Sequence, residues 1–89
     1  MKIQISKRFV KDCERIDDQR ILAKIRNVLE TAQTISQLSE LPQLEEMSGY
    51  SHFYRLKFDY RYRIGLHFDN GTLQFLRVGR REDFYKQFP

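Results

Sequence analysis

The segment from His52 to Arg81, HFYRLKFDYRYRIGLHFDNGTLQFLRVGRR, alternates apolar and polar residues with a period of two. Strands with one covered face satisfy that period, and helices do not, so it constrains the fold more than any other feature. In the first run Tyr54, Leu56 and Phe58 share one side, and Phe53, Arg55 and Lys57 share the other. In the second, Tyr62, Ile64, Leu66 and Phe68 lie opposite Arg61, Arg63, Gly65 and His67. Residues directly opposed across an antiparallel pair lie on the same face, so the pattern discriminates between turn lengths. A two-residue loop at Asp59-Tyr60 pairs Phe58 with Arg61 and sets apolar against charged side chains along the hairpin. A three-residue loop, Asp59-Tyr60-Arg61, pairs Phe58 with Tyr62, Leu56 with Ile64 and Tyr54 with Leu66, and this register is the one predicted.

It has a consequence on the other face. Lys57 is set opposite Arg63, with Arg55 two residues along. Opposed like charges destabilise a sheet by a few tenths of a kcal/mol to about 1 kcal/mol, so an anion is expected to compensate them. The second turn, Asp69-Asn70-Gly71, leaves two registers open. A two-residue Asn70-Gly71 loop pairs Leu66 with Phe75 and Phe68 with Leu73, whereas a three-residue loop pairs Ile64 with Leu76 and Arg63 with Arg77. A bulge would reconcile them. Leu73, Phe75, Leu76 and Val78 put apolar residues on both faces, which predicts a strand inside the sheet.

Upstream, Met1 to Ser6 alternates with Ile3 and Ile5 on one side, a short strand, and Ser6 is a helix N-cap. Phe9, Cys13 and Ile16 then fall at helical spacing, widened by Val10, so Cys13 reads as a small core residue rather than a nucleophile. Asp17 and Asp18 offer the next cap, and Ile21, Ile25, Val28, Leu29 and Ala32 form one apolar stripe behind them. The two helices read as a hairpin laid on the sheet. From Thr34 to Gly49 the pattern fades into an irregular connection whose leucines tuck onto the core. Its Glu40, Glu45 and Glu46 read as a solvated loop rather than as acid–base partners. After Gly79, a short tail carrying Phe84, Tyr85 and Phe88 is expected to fold back and bring Arg81 and Tyr85 to the basic face.

The chain has 89 residues, enough for a single domain spanning 1–89 with one modest core. Its formal net charge of +4 is unevenly spread. Residues 1–46 carry eight basic and eight acidic side chains, and residues 47–89 carry eight and four, so the whole excess lies in the second part. A solvated charged face is the bland reading, and a polyanion site the sharper one. The single Cys13 excludes an internal disulfide and a cysteine metal cluster. Without a targeting segment or an apolar run of membrane length, the expected location is the cytoplasm.

On the basic face, Arg55, Lys57, Arg63 and Arg81 accompany Tyr60, Phe53 and Tyr85. Guanidinium forks grip phosphates and aromatic rings stack on bases, a combination suited to single-stranded RNA. Cleavage by the RNA's own 2′-hydroxyl needs a base, cations around phosphorus and an acid for the leaving oxygen. Lys57 is the candidate base, because neighbouring cations disfavour its protonated form. The arginines suit electrostatic stabilisation, since they hold their protons above about pH 12. Tyr85 suits stacking or proton transfer, and His52 and His67 are secondary candidates. No acidic triad or phosphate loop offers a metal site, so no cofactor is expected and the chemistry would be metal-free.

In the order and spacing of these pieces the chain resembles the RelE/ParE superfamily of toxins from type II toxin–antitoxin systems. The resemblance rests on the lysine-rich first helix with Phe9 and Ile16, the second helix ending in Val28 to Glu30, and the segments Tyr54 to Phe58, Tyr62 to Gly65 and Val78 to Asp83 with Tyr85. It implies an α+β fold of β-α-α-β-β-β order, an antiparallel sheet with the helical hairpin on one face. It implies, for the RelE-like branch, ribosome-dependent cleavage of messenger RNA in the ribosomal A site and neutralisation by a cognate antitoxin in a hetero-oligomer. Arg55, Lys57, Arg63, Arg81 and Tyr85 occupy that branch's catalytic positions. Arg61, Arg77, Arg80 and Tyr60 are left to contact messenger or ribosomal RNA. Arg55 stands where the motif can have lysine, and the loop before Arg63 is one residue shorter. The alternative within the superfamily is a ParE-like toxin that poisons DNA gyrase without cutting RNA, and a third is a relative that only binds antitoxin.

Overall fold

The computed structural model describes all 89 residues. In chain order they form β1 (Lys2–Ile5), α1 (Lys7–Glu14), α2 (Gln19–Thr34), a 3-10 turn (Leu38–Glu40), β2 (Leu44–Glu46), β3 (Phe53–Leu56), β4 (Tyr62–Asp69), β5 (Thr72–Arg80) and α3 (Arg81–Gln87). The strands make one sheet in the order β1-β5-β4-β3-β2. The class is the α+β arrangement expected, with three additions: a fifth strand, a C-terminal helix and one parallel pair.

The first hairpin has the register that the hydrophobic pattern demands, with Tyr54 opposite Leu66 and Leu56 opposite Ile64. In the second, Leu66 pairs with Phe75 and Phe68 with Leu73, the two-residue loop. Asn70 and Gly71 take φ of 48° and 76°, the left-handed pair that such a hairpin turn requires. A bulge between Gly65 and Leu66 then shifts the ladder, leaving Leu76 without a partner and pairing Gly65 with Arg77 and Ile64 with Val78. The shift runs away from the three-residue register, so Arg63 faces Gly79 and not Arg77. β5 lies inside the sheet, as its two apolar faces predict. β1 pairs with it in parallel, Ile3 beside Leu73 and Ile5 beside Phe75, which corrects the fully antiparallel expectation. No hairpin joins the two strands, so chain connectivity leaves their relative direction to packing.

Ser6 caps α1 by accepting from the Phe9 amide at 3.0 Å, and Asp18 caps α2 by accepting from the Arg20 amide at 2.9 Å. Phe9, Ile21, Ile25 and Ala32 bury their side chains against Leu56, Ile64, Leu66, Leu73, Phe75 and Val78. Apart from Ala32, whose single methyl contributes less, each of these aliphatic or aromatic side chains contributes about 1.5–3 kcal/mol by leaving water. Val10 and Ile5, expected in that core, are 46% and 44% exposed. Ile5 ends an edge strand, and Val10 lies on the exposed side of α1 while Phe9 takes the buried one.

The sheet's other face is covered too. The residues expected as a tail form α3, with Glu82 and Asp83 in its first turn and Lys86 in its last, the charge order that favours a helix. Phe84 and Phe88, four residues apart, both point inward and are 2% and 5% exposed. Phe88 lies flat over Gly65, where an added Cβ would fall 2.7 Å from the ring. Phe53 packs edge-on to Phe88 at 5.8 Å and against the His67 ring at 4.5 Å. The face read as an open basic surface is therefore half occupied by a small aromatic core. No helix is long and apolar enough to cross a membrane.

Candidate functional site

Strands β2 and β3, the first residue past β3, and helix α3 bring four side chains together. Arg55 Nη1 donates to the Tyr85 hydroxyl at 2.9 Å, and the Arg55 guanidinium lies 5.6 Å from the Tyr85 ring centre. From the other side Arg55 Nη2 meets Glu45 Oε2 at 3.4 Å, and Lys57 Nζ meets Glu45 Oε1 at 3.4 Å. β2 makes this possible, because Glu45 is the cross-strand neighbour of Arg55. Lys57 lies just past the end of β3, its amide bonded to the Gln43 carbonyl at 3.2 Å. The positive field of Lys57, then of Arg55, holds the Glu45 carboxyl below the usual carboxylate range. An anion does stand beside these cations, but it is Glu45, between Arg55 and Lys57, from a segment read as solvated loop.

The confrontation of Lys57 with Arg63 does not form. The β3–β4 ladder stops at Leu56 and Ile64, one pair short of them. Arg63 is 9% exposed, and its Nη1 donates to the carbonyls of Asp59, Tyr60 and Tyr62 at 2.9, 3.2 and 2.9 Å. Its guanidinium holds the β3–β4 loop from beneath instead of facing solvent beside Lys57. That loop presents Tyr60, 74% exposed, with the Arg81 guanidinium 4.4 Å from its ring centre. The Arg81 amide also donates to the Arg61 carbonyl at 2.8 Å. Arg81 and Tyr85 are one turn apart on α3, so the helix links the Tyr60 loop to Arg55.

Asp59 fastens the same loop to α2. It accepts from Lys24 Nζ at 2.6 Å and from the Arg61 amide at 2.9 Å. These two bonds, in that order, hold its carboxyl below the ordinary value of 3.8. Because the folded state has the lower pKa, the resulting stability is present above 3.8 and is lost as pH falls through the folded value. Asp59→Asn should therefore lower the melting temperature near neutral pH and flatten its decline on acidification. Melting curves between about pH 6 and about pH 2.5 check this, and an unchanged acid slope would contradict it.

The other predicted contact residues lie elsewhere. Arg61, Arg77 and Arg80 line a cleft of about 480 Å³ bounded by the α1–α2 connection, the ends of β4 and β5, and α3. Arg77 is engaged within it, its Nε 2.8 Å from Asp12 Oδ2 and its Nη2 donating to Gln87 Oε1 at 2.7 Å. The same Asp12 oxygen accepts from the Val78 amide just past the bulge. Arg80 is the cross-strand partner of Tyr62, and the nearby phenol is the main cause that raises its already high pKa. His67 Nδ1 lies 3.0 Å from Gln74 Oε1 within the aromatic core, and the His52 amide donates to Glu46. Burial raises the Cys13 thiol pKa, with Asp12 and Glu14 adding to the effect, as fits a side chain packed against the core. No three His, Cys, Asp or Glu side chains stand close enough to share a metal ion. Glu45 went unsuspected as the partner of Arg55 and Lys57, because three residues of β2 are too few for a readable alternation, and so did Asp12 as the partner of Arg77.

The small α+β fold, five strands with helices on both faces, defines the class, and comparison with known proteins supplies the family. A family model for the ParE toxin of type II toxin–antitoxin systems (parDE) matches residues 3–85. Toxin RelE3 of Methanocaldococcus jannaschii is 32% identical over 90 residues, with both chains wholly covered. The chain belongs to the RelE/ParE superfamily and is a toxin of a type II toxin–antitoxin system, RelE-like in structure. The RelB–RelE antitoxin–toxin complex from Methanococcus jannaschii contains a chain that superposes with a TM-score of 0.82 at 29% identity, over 97% of this chain and 99% of that one. YafQ of E. coli, at 14% identity and a TM-score of 0.71 over 91% and 93% of the two chains, shares the fold. So does a chain of the YoeB–YefM complex from Staphylococcus aureus, at 14% identity and 0.70 over 91% and 97%.

Proposed function

We propose that this toxin is a ribosome-dependent endoribonuclease that cuts messenger RNA in the ribosomal A site and so inhibits translation. The observation that carries the reading is the joining of Arg55 to Tyr85 at 2.9 Å, with Lys57 two residues along the chain and Arg81 one helical turn before Tyr85. In the proposed reaction Lys57, a cation in its pair with Glu45, first releases a proton to solvent and as the amine takes the proton of the RNA 2′-hydroxyl. The 2′-oxygen then bonds to phosphorus as the bond to the 5′-oxygen breaks, leaving a 2′,3′-cyclic phosphate. The departing 5′-oxygen takes a proton from the Tyr85 hydroxyl or from water. Arg55 and Arg81 stabilise the charge on the phosphoryl oxygens, and Tyr60 and Tyr85 offer rings to bases. No step calls for a metal or cofactor. Arg61 and Arg80 would contact RNA from the adjoining cleft, whereas Arg77 reaches it only by leaving Asp12.

The toxin would act in the cytoplasm and be silenced in a hetero-oligomer with a cognate antitoxin, a reading supported by the complexes in which its structural relatives occur. Induction of the wild-type protein in a growing host, followed by primer extension on messenger RNA, tests the function. Cuts within translated codons, with chromosomal DNA intact, are the expected result. The family description names ParE, which supports the alternative of a gyrase poison. Growth arrest with uncut messenger RNA and accumulated gyrase–DNA breaks would establish that alternative and remove the nuclease.

A further inference from the structure

The carboxylate of Glu45 does more than relieve repulsion. Its two oxygens are divided between two cations, Oε2 to Arg55 Nη2 and Oε1 to Lys57 Nζ, each at 3.4 Å. Two oxygens of one phosphate would be divided between these groups in the same way. The contacts are long and partly solvated, with the Glu45 side chain 52% exposed. Its strand, Leu44–Glu46, is the sheet's edge and pairs on one side only, with β3. Rotation of a single side chain into water therefore frees both cations without unpairing any backbone. Tyr85 holds the other amine of Arg55, so the guanidinium keeps its orientation when the carboxylate leaves.

We propose that Glu45 is the resident counter-ion of Arg55 and Lys57, an intramolecular phosphate mimic that an RNA phosphate must displace on binding. The inference rests on the reading of Arg55 and Lys57 as a phosphate site, and adds to it an exchange step that weakens binding by the free toxin. The lowered carboxyl pKa of Glu45 reports the same pairing, since it comes first from the field of Lys57 and then from that of Arg55. Glu45→Gln removes the competing charge while keeping the side chain's shape.

The test measures binding of two probes, inorganic pyrophosphate and a short single-stranded oligoribonucleotide, to the full-length protein by calorimetry. Glu45→Gln should bind both roughly three- to tenfold more tightly than wild type, the effect of removing two exposed ion pairs from the free state. Its affinity should also fall more steeply with salt, because more counterions are released. Glu30→Gln, an equal charge change on the exposed face of α2, should shift affinity less than about twofold. Glu45→Asp, too short to span both cations, should fall between wild type and Glu45→Gln, so the result does not depend on one variant folding well. Affinities in Glu45→Gln no tighter than in Glu30→Gln would overturn the counter-ion. Cleaved messenger RNA with no tightening would remove Glu45's role and leave the nuclease standing. Tightened pyrophosphate with uncut messenger RNA would do the reverse.

Discussion

Replacing Gly65 with alanine should destabilise the protein by about 1–3 kcal/mol, the usual cost of overpacking a filled interior. For a domain of this size that corresponds to a fall in melting temperature of roughly 5–20 °C. A Cβ at this position would lie 2.7–2.8 Å from three atoms of the Phe88 ring, inside any normal carbon–carbon contact. Phe88 cannot simply rotate away, because Phe84 lies 5.2 Å and Phe53 5.8 Å from its ring centre. The available relief is for the end of α3 to lift from the sheet, and Tyr85 moves with it. Gly65→Ala should accordingly lose the Arg55–Tyr85 contact as well as stability. In a Phe88→Ala background the same change should cost less than about 0.5 kcal/mol, since the obstructing ring is gone. A double-mutant cycle by thermal or urea denaturation measures that coupling, and additive costs would show that Phe88 is not what Gly65 accommodates.

Lys57→Ala should reduce messenger RNA cleavage by about 10²–10⁴-fold, the range for loss of a general base. Arg81→Ala should reduce it by about 10²–10³-fold, as for loss of one charge-stabilising donor. Both are read by primer extension after induction, with the amount of soluble toxin matched. Stability separates chemistry from folding. Had Lys57 faced Arg63 unrelieved, removing it would stabilise the free protein. With Glu45 between the cations, the melting temperature of Lys57→Ala should instead stay within about 3 °C of wild type. Cuts that persist at wild-type frequency in Lys57→Ala would end its assignment as the base. Tyr85→Phe, which keeps the ring and deletes the hydroxyl bonded to Arg55, separates stacking from proton transfer.

Arg63 illustrates how a correct register can still mislead about a side chain. Its strand position follows from the alternation of β4, and that alternation is what the structure shows. The direction of its guanidinium depends on three carbonyls that turn inward only once the β3–β4 loop has closed. A six-bond side chain can follow either the strand normal or the loop, and buried carbonyls without partners decide the matter. Arg77 follows the same logic, drawn by Asp12 of α1 across 65 residues of sequence.

What the sequence determined by itself was written in local patterns: the apolar stripe of α2, Phe9 and Cys13 on α1, the caps at Ser6 and Asp18, and the register of the first hairpin. Periodic burial is written in each segment independently of its neighbours, so it can be read segment by segment. The C-terminal helix was written there as well, in the acidic first turn and the Phe84–Phe88 spacing, although connectivity alone suggested a tail. Only the tertiary structure decided that β2 would form, that β1 would run parallel to β5, and that Glu45 would stand between Arg55 and Lys57. These outcomes depend on which edges and charges meet after the chain has closed on itself. A single carboxylate on a three-residue strand has no period to announce it, and its partner is fixed by the sheet rather than by its neighbours in sequence.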